Sequence, residues 1–165
     1  MRIRIDLSPA RHFQRELHEA CRMTVGVGFS GDVHPPSGMA FAKLASIHQH
    51  GAPSRKLPAR PILVEPPEWE REAAEEAQAF VPDVVKNPDR GIRKMLLALG
   101  CSFSRWLRER FRVFSHGSGN WAPLAPSTVA RKKARHASPL ILRDTHTLFR
   151  ALTPGNPGNF IRVNK

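Results

Sequence analysis

One stretch restricts the fold more than any other. From about Asp89 to Phe114, apolar side chains recur every three or four residues: Ile92, Leu96, Leu99, Phe103, Trp106, Leu107, Phe111 and Phe114. That spacing predicts one long amphipathic helix. At about 100° per residue, Arg90, Lys94, Arg105, Arg108 and Arg112 fall together on the opposite side. A helix of this kind gains its stability by laying its apolar stripe on something else, so the rest of the chain must supply the cover. Gly117-Ser118-Gly119 ends the helix and turns the chain back.

The remaining elements are short. Residues 2–6 alternate and read as a strand. Ser8-Pro9 offers a cap and a first-turn proline to a helix with Phe13, Leu17 and Ala20 on one face. Residues 23–29 alternate apolar with small residues and predict a half-buried strand. Gly31 to Gly38, with Pro35-Pro36, reads as a loop, and residues 39–50 as a helix stopped by Gly51. Lys56 to Val64 is extended and broken by Pro58 and Pro61, and 52–66 as a whole is a candidate arm or loop. Pro66-Pro67 opens a helix over 68–80 with Trp69, Ala73, Ala77 and Phe80 on one face and its glutamates largely outward. After the Gly155–Gly158 loop, Phe160 to Val163 predicts a last strand. The pattern is α+β: a small, mostly antiparallel sheet packed by one long amphipathic helix and several shorter helices. With 165 residues, 41% hydrophobic, residues 1–165 are expected to form a single domain.

Charge is unevenly spread. The net charge is +12, yet residues 64–89 carry two basic and eight acidic side chains, a net of −6. Residues 90–165 carry fifteen basic and two acidic ones, +13, and residues 1–63 are at +5. Such asymmetry points to an acidic partner, either DNA or the negative surface of a neighbouring protein. Cys21 and Cys101 lie far apart and form no metal-ligand pair, in keeping with a reduced intracellular protein. No apolar run has the length of a membrane span, so a soluble protein made in the cytoplasm, without membrane contact, is expected.

Three catalytic or cofactor readings fail on spacing. Gly26-Val27-Gly28-Phe29-Ser30-Gly31 matches a dinucleotide fingerprint by letter, but Pro35 and Pro36 stand where its phosphate-binding helix should start. His48 and His50 could share a metal, but no third ligand stands at a familiar spacing, which leaves a metal nuclease without a site. The glutamates of 65–76 read as a solvated helix face. No cofactor, no metal and no enzymatic activity are expected.

The most distinctive segment begins Asn120-Trp121-Ala122-Pro123-Leu124-Ala125-Pro126-Ser127-Thr128. It continues through Arg131-Lys132-Lys133 to Pro139-Leu140-Ile141-Leu142-Arg143-Asp144-Thr145-His146-Thr147-Leu148. Ser127 or Thr128 is placed to cap one short helix, and Asp144 a second one carrying Leu148 and Leu152. Trp121 and Leu124 are expected to anchor the block on the long helix. This block resembles the virion-morphogenesis, tail-completion and neck proteins of tailed bacteriophages. There an aromatic-x-Pro-Leu-x-x-x-Thr turn leads through a Lys-rich helix to Leu-Ile-x-Asp-Thr-Gly-x-Leu. A second block, Ala45-Ser46-Ile47-His48-Gln49-His50-Gly51 and Leu57-Pro58-Ala59-Arg60-Pro61-Ile62-Leu63, is similar to that family's Ala-x-x-His-Glu-Phe-Gly and Pro-x-Arg-Pro-Phe-Leu segments. His146 stands where the family often has Gly, and Gln49-His50 where Glu-Phe is usual.

The resemblance implies a non-enzymatic structural protein of the head–tail junction. Its copies would form a ring of six that completes or terminates the tail. The partners implied are a head-closure or connector protein, a tail tube or tail terminator protein, and genomic double-stranded DNA passing through the channel. Its place would be the virion, after assembly in the host cytoplasm. His48, Gly51, Arg60 and Pro61 are then expected at subunit contacts, with Arg90, Lys94, Arg105, Arg108 and Arg112 as a second contact face. Trp121, Pro123, Leu124, Thr128, Lys132, Leu140, Asp144, Thr145 and Leu148 form the structural motif. The alternative is a basic nucleic-acid-binding protein acting outside a ring.

Overall fold

The computed structural model describes residues 8–64 and 67–165. The strand expected at 2–6 therefore lies outside the described residues, as do Glu65 and Pro66 at the end of the expected arm. The fold is α+β. Helix α1 covers Ser8–Ala20, and strand β1 Thr24–Phe29. The expected loop contains strand β2, Val33–His34, which pairs antiparallel with β3, Met39–Ala40, placing Val33 opposite Ala40. Helix α2, Phe41–His50, follows. It ends at Gly51, whose φ of 75° belongs to the left-handed region. Then come α3, Pro67–Gln78, α4, Val81–Lys86, and the long helix α5, Pro88–Ser115. Two short helices, α6 (Pro126–Ala134) and α7 (Thr147–Arg150), precede strand β4, Asn159–Asn164, which pairs with β1. No helix among the described residues is long and apolar enough to cross a membrane.

The contacts gather into two compact units. The first takes the described residues of Met1–Gly26, Pro66–Gly100 and Arg162–Lys165. Its small core is Ala20, Met23 and Ile92, with Leu17, Val84, Met95, Leu96 and Val163 packed on it. Gly91 lets α4 and α5 approach closely: a Cβ there would sit 2.5 Å from the Val84 backbone.

The second unit takes the described residues of Val27–Glu65 and Cys101–Ile161 and holds the larger core. Here the apolar side of α5 meets the Trp121 turn and α7 rather than a broad sheet. Phe111 and Phe114 stand edge-on to Trp121, with centroids 5.0 and 5.6 Å away. Phe111 also packs against Phe149 at 5.7 Å. Leu107 and Phe111 are essentially sealed from solvent, as is Leu152. Ser104, on the same side of the helix, is buried too. It donates to the Leu152 carbonyl at 2.7 Å and accepts from Asn159 at 3.0 Å, which satisfies its hydroxyl.

Neither short helix of the C-terminal block is capped as expected. Helix α6 starts at Pro126 with Ala125 before it, so Ser127 and Thr128 fall inside the first turn. Helix α7 is preceded by His146 at φ 60°, and no side chain caps it. Asp144 is two residues too early to cap it, and turns instead to Lys132 and Arg135.

Candidate functional site

The two motif blocks, about sixty residues apart in sequence, meet in the second unit. Arg60 is buried, and its Nε and Nη2 both donate to the Ala122 carbonyl, at 3.1 and 3.0 Å. Nη2 also reaches the Pro123 carbonyl at 3.4 Å. In return the Trp121 indole Nε1 donates to the Pro61 carbonyl at 3.0 Å. A planar guanidinium suits this fork-like pairing with successive carbonyls. The following proline biases Arg60 towards an extended backbone, and Pro61 itself brings no N–H that would need a partner.

Gln49 completes the junction. Its Oε1 accepts from the Ile62 and Leu63 amides at 2.7 and 2.9 Å, while its Nε2 donates to the Leu63 carbonyl at 2.9 Å. Ile62 is thereby held in the core. Gly51 is required at the same place, because a Cβ would lie 2.7 Å from the Ala59 amide nitrogen. Ala52 and Leu57 exchange backbone bonds at 2.9 and 3.1 Å around a 3₁₀ turn, Pro53–Arg55. Residues 57–63 are thus fastened to their own chain. Arg60, expected at a subunit contact on an arm, is buried, Pro61 is half-buried, and both use polar groups in the clasp within the chain.

His48 lies beside this clasp. Its carbonyl accepts from the Arg60 amide at 2.7 Å. Burial, with the Arg60 charge close by, pushes its imidazole down to about 4. His48 is therefore neutral at neutral pH. Its Nδ1 has no hydrogen-bond partner among the described residues.

A second junction ties α6 to the chain after it. Lys132 is 6% exposed, whereas its neighbours Arg131 and Lys133 are open to solvent. Its Nζ donates to the Ser138 and Leu140 carbonyls, both at 2.9 Å, and stands 3.7 Å from Asp144. Arg135 lies 3.6 Å from the other carboxylate oxygen. Nearby, His34 hydrogen-bonds Ser37 at 2.8 Å and Thr147 through its other nitrogen, and stands edge-on to Phe41. Thr145 in turn bonds Thr147 at 2.8 Å. His146 accepts from Arg143 at 3.1 and 3.3 Å, and burial followed by the charge of Arg143 lowers its pKa.

Between these junctions runs an open groove of about 1030 Å³. Leu44, Leu57, Leu124, Leu142 and Leu148 supply its apolar lining; Lys56, Arg131 and Arg135 are cationic groups along it. His48, Thr128, Lys132, Asp144 and Thr145 border it as well. Among the described residues no three His, Cys, Asp or Glu side chains gather as a metal site would need.

The chain matches no family model, no curated protein and no solved structure. Its reading rests on its own residues.

Of the residues singled out in the sequence, His48, Arg60, Pro123, Leu124, Thr128, Lys132, Asp144, Thr145 and Leu148 line the groove, while Gly51, Pro61, Trp121 and Leu140 belong to the junctions. The cationic face of α5 is divided. Arg90 and Lys94 belong to the first unit, where Lys94 pairs with Asp83 at 2.6 Å and lies over the Phe80 ring. In the second unit Arg112 pairs with Glu109, and the Arg108 guanidinium sits 4.7 Å from the Phe149 ring. All five cationic side chains, Arg90 and Arg105 included, stay exposed. Gln49 and His34 were missed, since a lone Gln or His carries no sequence signal for the backbone or hydroxyl it will meet.

Proposed function

We propose that this chain is a structural protein of a tailed-phage head–tail junction, whose copies form a ring, hexameric by resemblance, that joins tail to head and lets DNA pass. The observation that carries the reading is the clasp between the two blocks. The segments that resemble neck and tail-completion proteins are packed together through Arg60, Trp121 and Gln49 as one structural unit. A further support is His146, which takes a left-handed backbone at the position where the family pattern often carries Gly. The ring's neighbours would be a head-closure or connector protein on one side and a tail tube or terminator protein on the other. The alternative of a free nucleic-acid-binding protein draws on the +13 charge of residues 90–165.

An electron-microscopy map of the virion separates the two. The chain is expected in a symmetric ring at the neck, and phage lacking it should accumulate unjoined heads and tails. Finding it outside any symmetric ring, or finding steeply salt-dependent DNA binding in a protein that virions do not carry, would overturn the proposal.

A further inference from the structure

The groove of the second unit has a chemical counterpart elsewhere in the same chain. On the groove, Lys56 and Arg131 are exposed, and neither forms an ion pair among the described residues. Within a protein of net charge +12, the acidic stretch 64–89 is concentrated on α3 and its flanks. Glu68, Glu72 and Glu75 of α3 fall within about 60° of one another around the helix, and all three are exposed. No α3 glutamate is in an ion pair among the described residues. Helix α4 follows at once and shows Val81 and Val85, four residues apart, 55% and 61% exposed. Large aliphatic side chains this open, next to an unpaired acidic edge, match a groove with a leucine lining and free cations.

We infer that the α3–α4 segment of one copy docks in the groove of a second copy. Val81 and Val85 meet the leucines, and Glu68, Glu72 and Glu75 meet Lys56 and Arg131. This rests on the ring reading above and adds to it the two surfaces that touch. Helix-in-groove docking obtains affinity from the apolar edge and orientation from the charges. Because the two surfaces differ, the contact is head-to-tail, and it propagates around a ring when the rotation closes.

Charge exchange in the full-length protein tests it, with sedimentation velocity across the micromolar range at low and high salt. The wild-type chain is expected to self-associate at low salt and dissociate at high salt. Glu72→Lys with Glu75→Lys, or Lys56→Glu with Arg131→Glu, should each weaken association about tenfold or more, with thermal unfolding unchanged. Mixing the two variants, or placing all four substitutions in one chain, should restore it. A wild-type chain that stays monomeric at low salt overturns the inference. So does a four-substitution chain no better than the two-substitution ones. Reversals that lower the unfolding temperature of a monomer, and recover in the four-substitution chain, would show α3 filling its own groove and would also overturn it. A virion ring indifferent to both pairs of reversals removes this contact and leaves the head–tail reading standing. The restoring exchange in a protein that virions do not carry does the reverse.

Discussion

His48 shows how a single residue acquires its behaviour from its surroundings. An imidazole in water has a pKa near 6.5, and here burial next to the Arg60 guanidinium brings it to about 4. Because the unfolded chain takes up the proton first, acidification favours unfolding through this group. Its contribution to stability is complete above pH 6.5 and is lost progressively as pH falls towards about 4. Stability measured by denaturant titration should therefore decline with falling pH across that window. His48→Gln, which has nothing to titrate there, should flatten the decline; an unchanged slope would mean that the imidazole is hydrated and ordinary. Gly51 makes the complementary point about backbone. Its positive φ and its closeness to Ala59 leave no space for a side chain, whatever the chemistry of that side chain.

Among the elements, α6 separates two kinds of basic residue that look alike in sequence. Arg131 and Lys133 point to solvent, while Lys132 is buried and holds two carbonyls of the following turn. Lys132→Met keeps most of the stem's packing but leaves the Ser138 and Leu140 carbonyls without their donor. That should cost about 2–3 kcal/mol, read as a lower denaturation midpoint. Arg131→Gln, at an exposed site, should stay within about 0.5 kcal/mol of wild type. Equal effects would place the two side chains in equivalent surroundings. On helix α5 the difference lies in partners and not in burial: Arg108 lies over Phe149 and Arg112 holds Glu109, and both, like Arg105, are exposed. A cationic stripe drawn from periodicity thus becomes a set of residues with separate local duties.

Among the described residues, the two cores share no side chain. Ile92 belongs to one, with Ala20 and Met23; Trp121 belongs to the other, with Phe111 and Leu148. Trp121→Ala removes a buried ring, two aromatic contacts and the indole bond to Pro61, and should cost about 3–5 kcal/mol. Hydrogen exchange should show the loss in α6, α7 and the amides of Arg60, Ile62 and Leu63. Ile92→Ala should instead lower protection in α1, at a cost of about 2–5 kcal/mol. A uniform loss along the chain from either variant would mean that the molecule opens only as one cooperative body. The charge distribution acts at this scale too: among the described residues the α3 glutamates form no ion pair, and neither do Lys56 and Arg131 on the groove.

What the sequence alone determined was periodic or covalent. The three-and-four repeat of α5, the stop at Gly51, the acidic α3 and the α+β class follow from side-chain spacing and backbone restriction, which act within a few residues. The anchoring of the Trp121 turn on α5 was also legible, because a long apolar stripe must find large apolar partners. Only the tertiary structure decided the polar partnerships. Arg60 looked like a group on a free arm and is instead locked on Ala122 and Pro123. Asp144 looked like a helix cap and instead faces Lys132 and Arg135. A hydrogen bond depends on distances of a few tenths of an ångström between groups remote in sequence, and no local pattern encodes which carbonyl a buried guanidinium will meet.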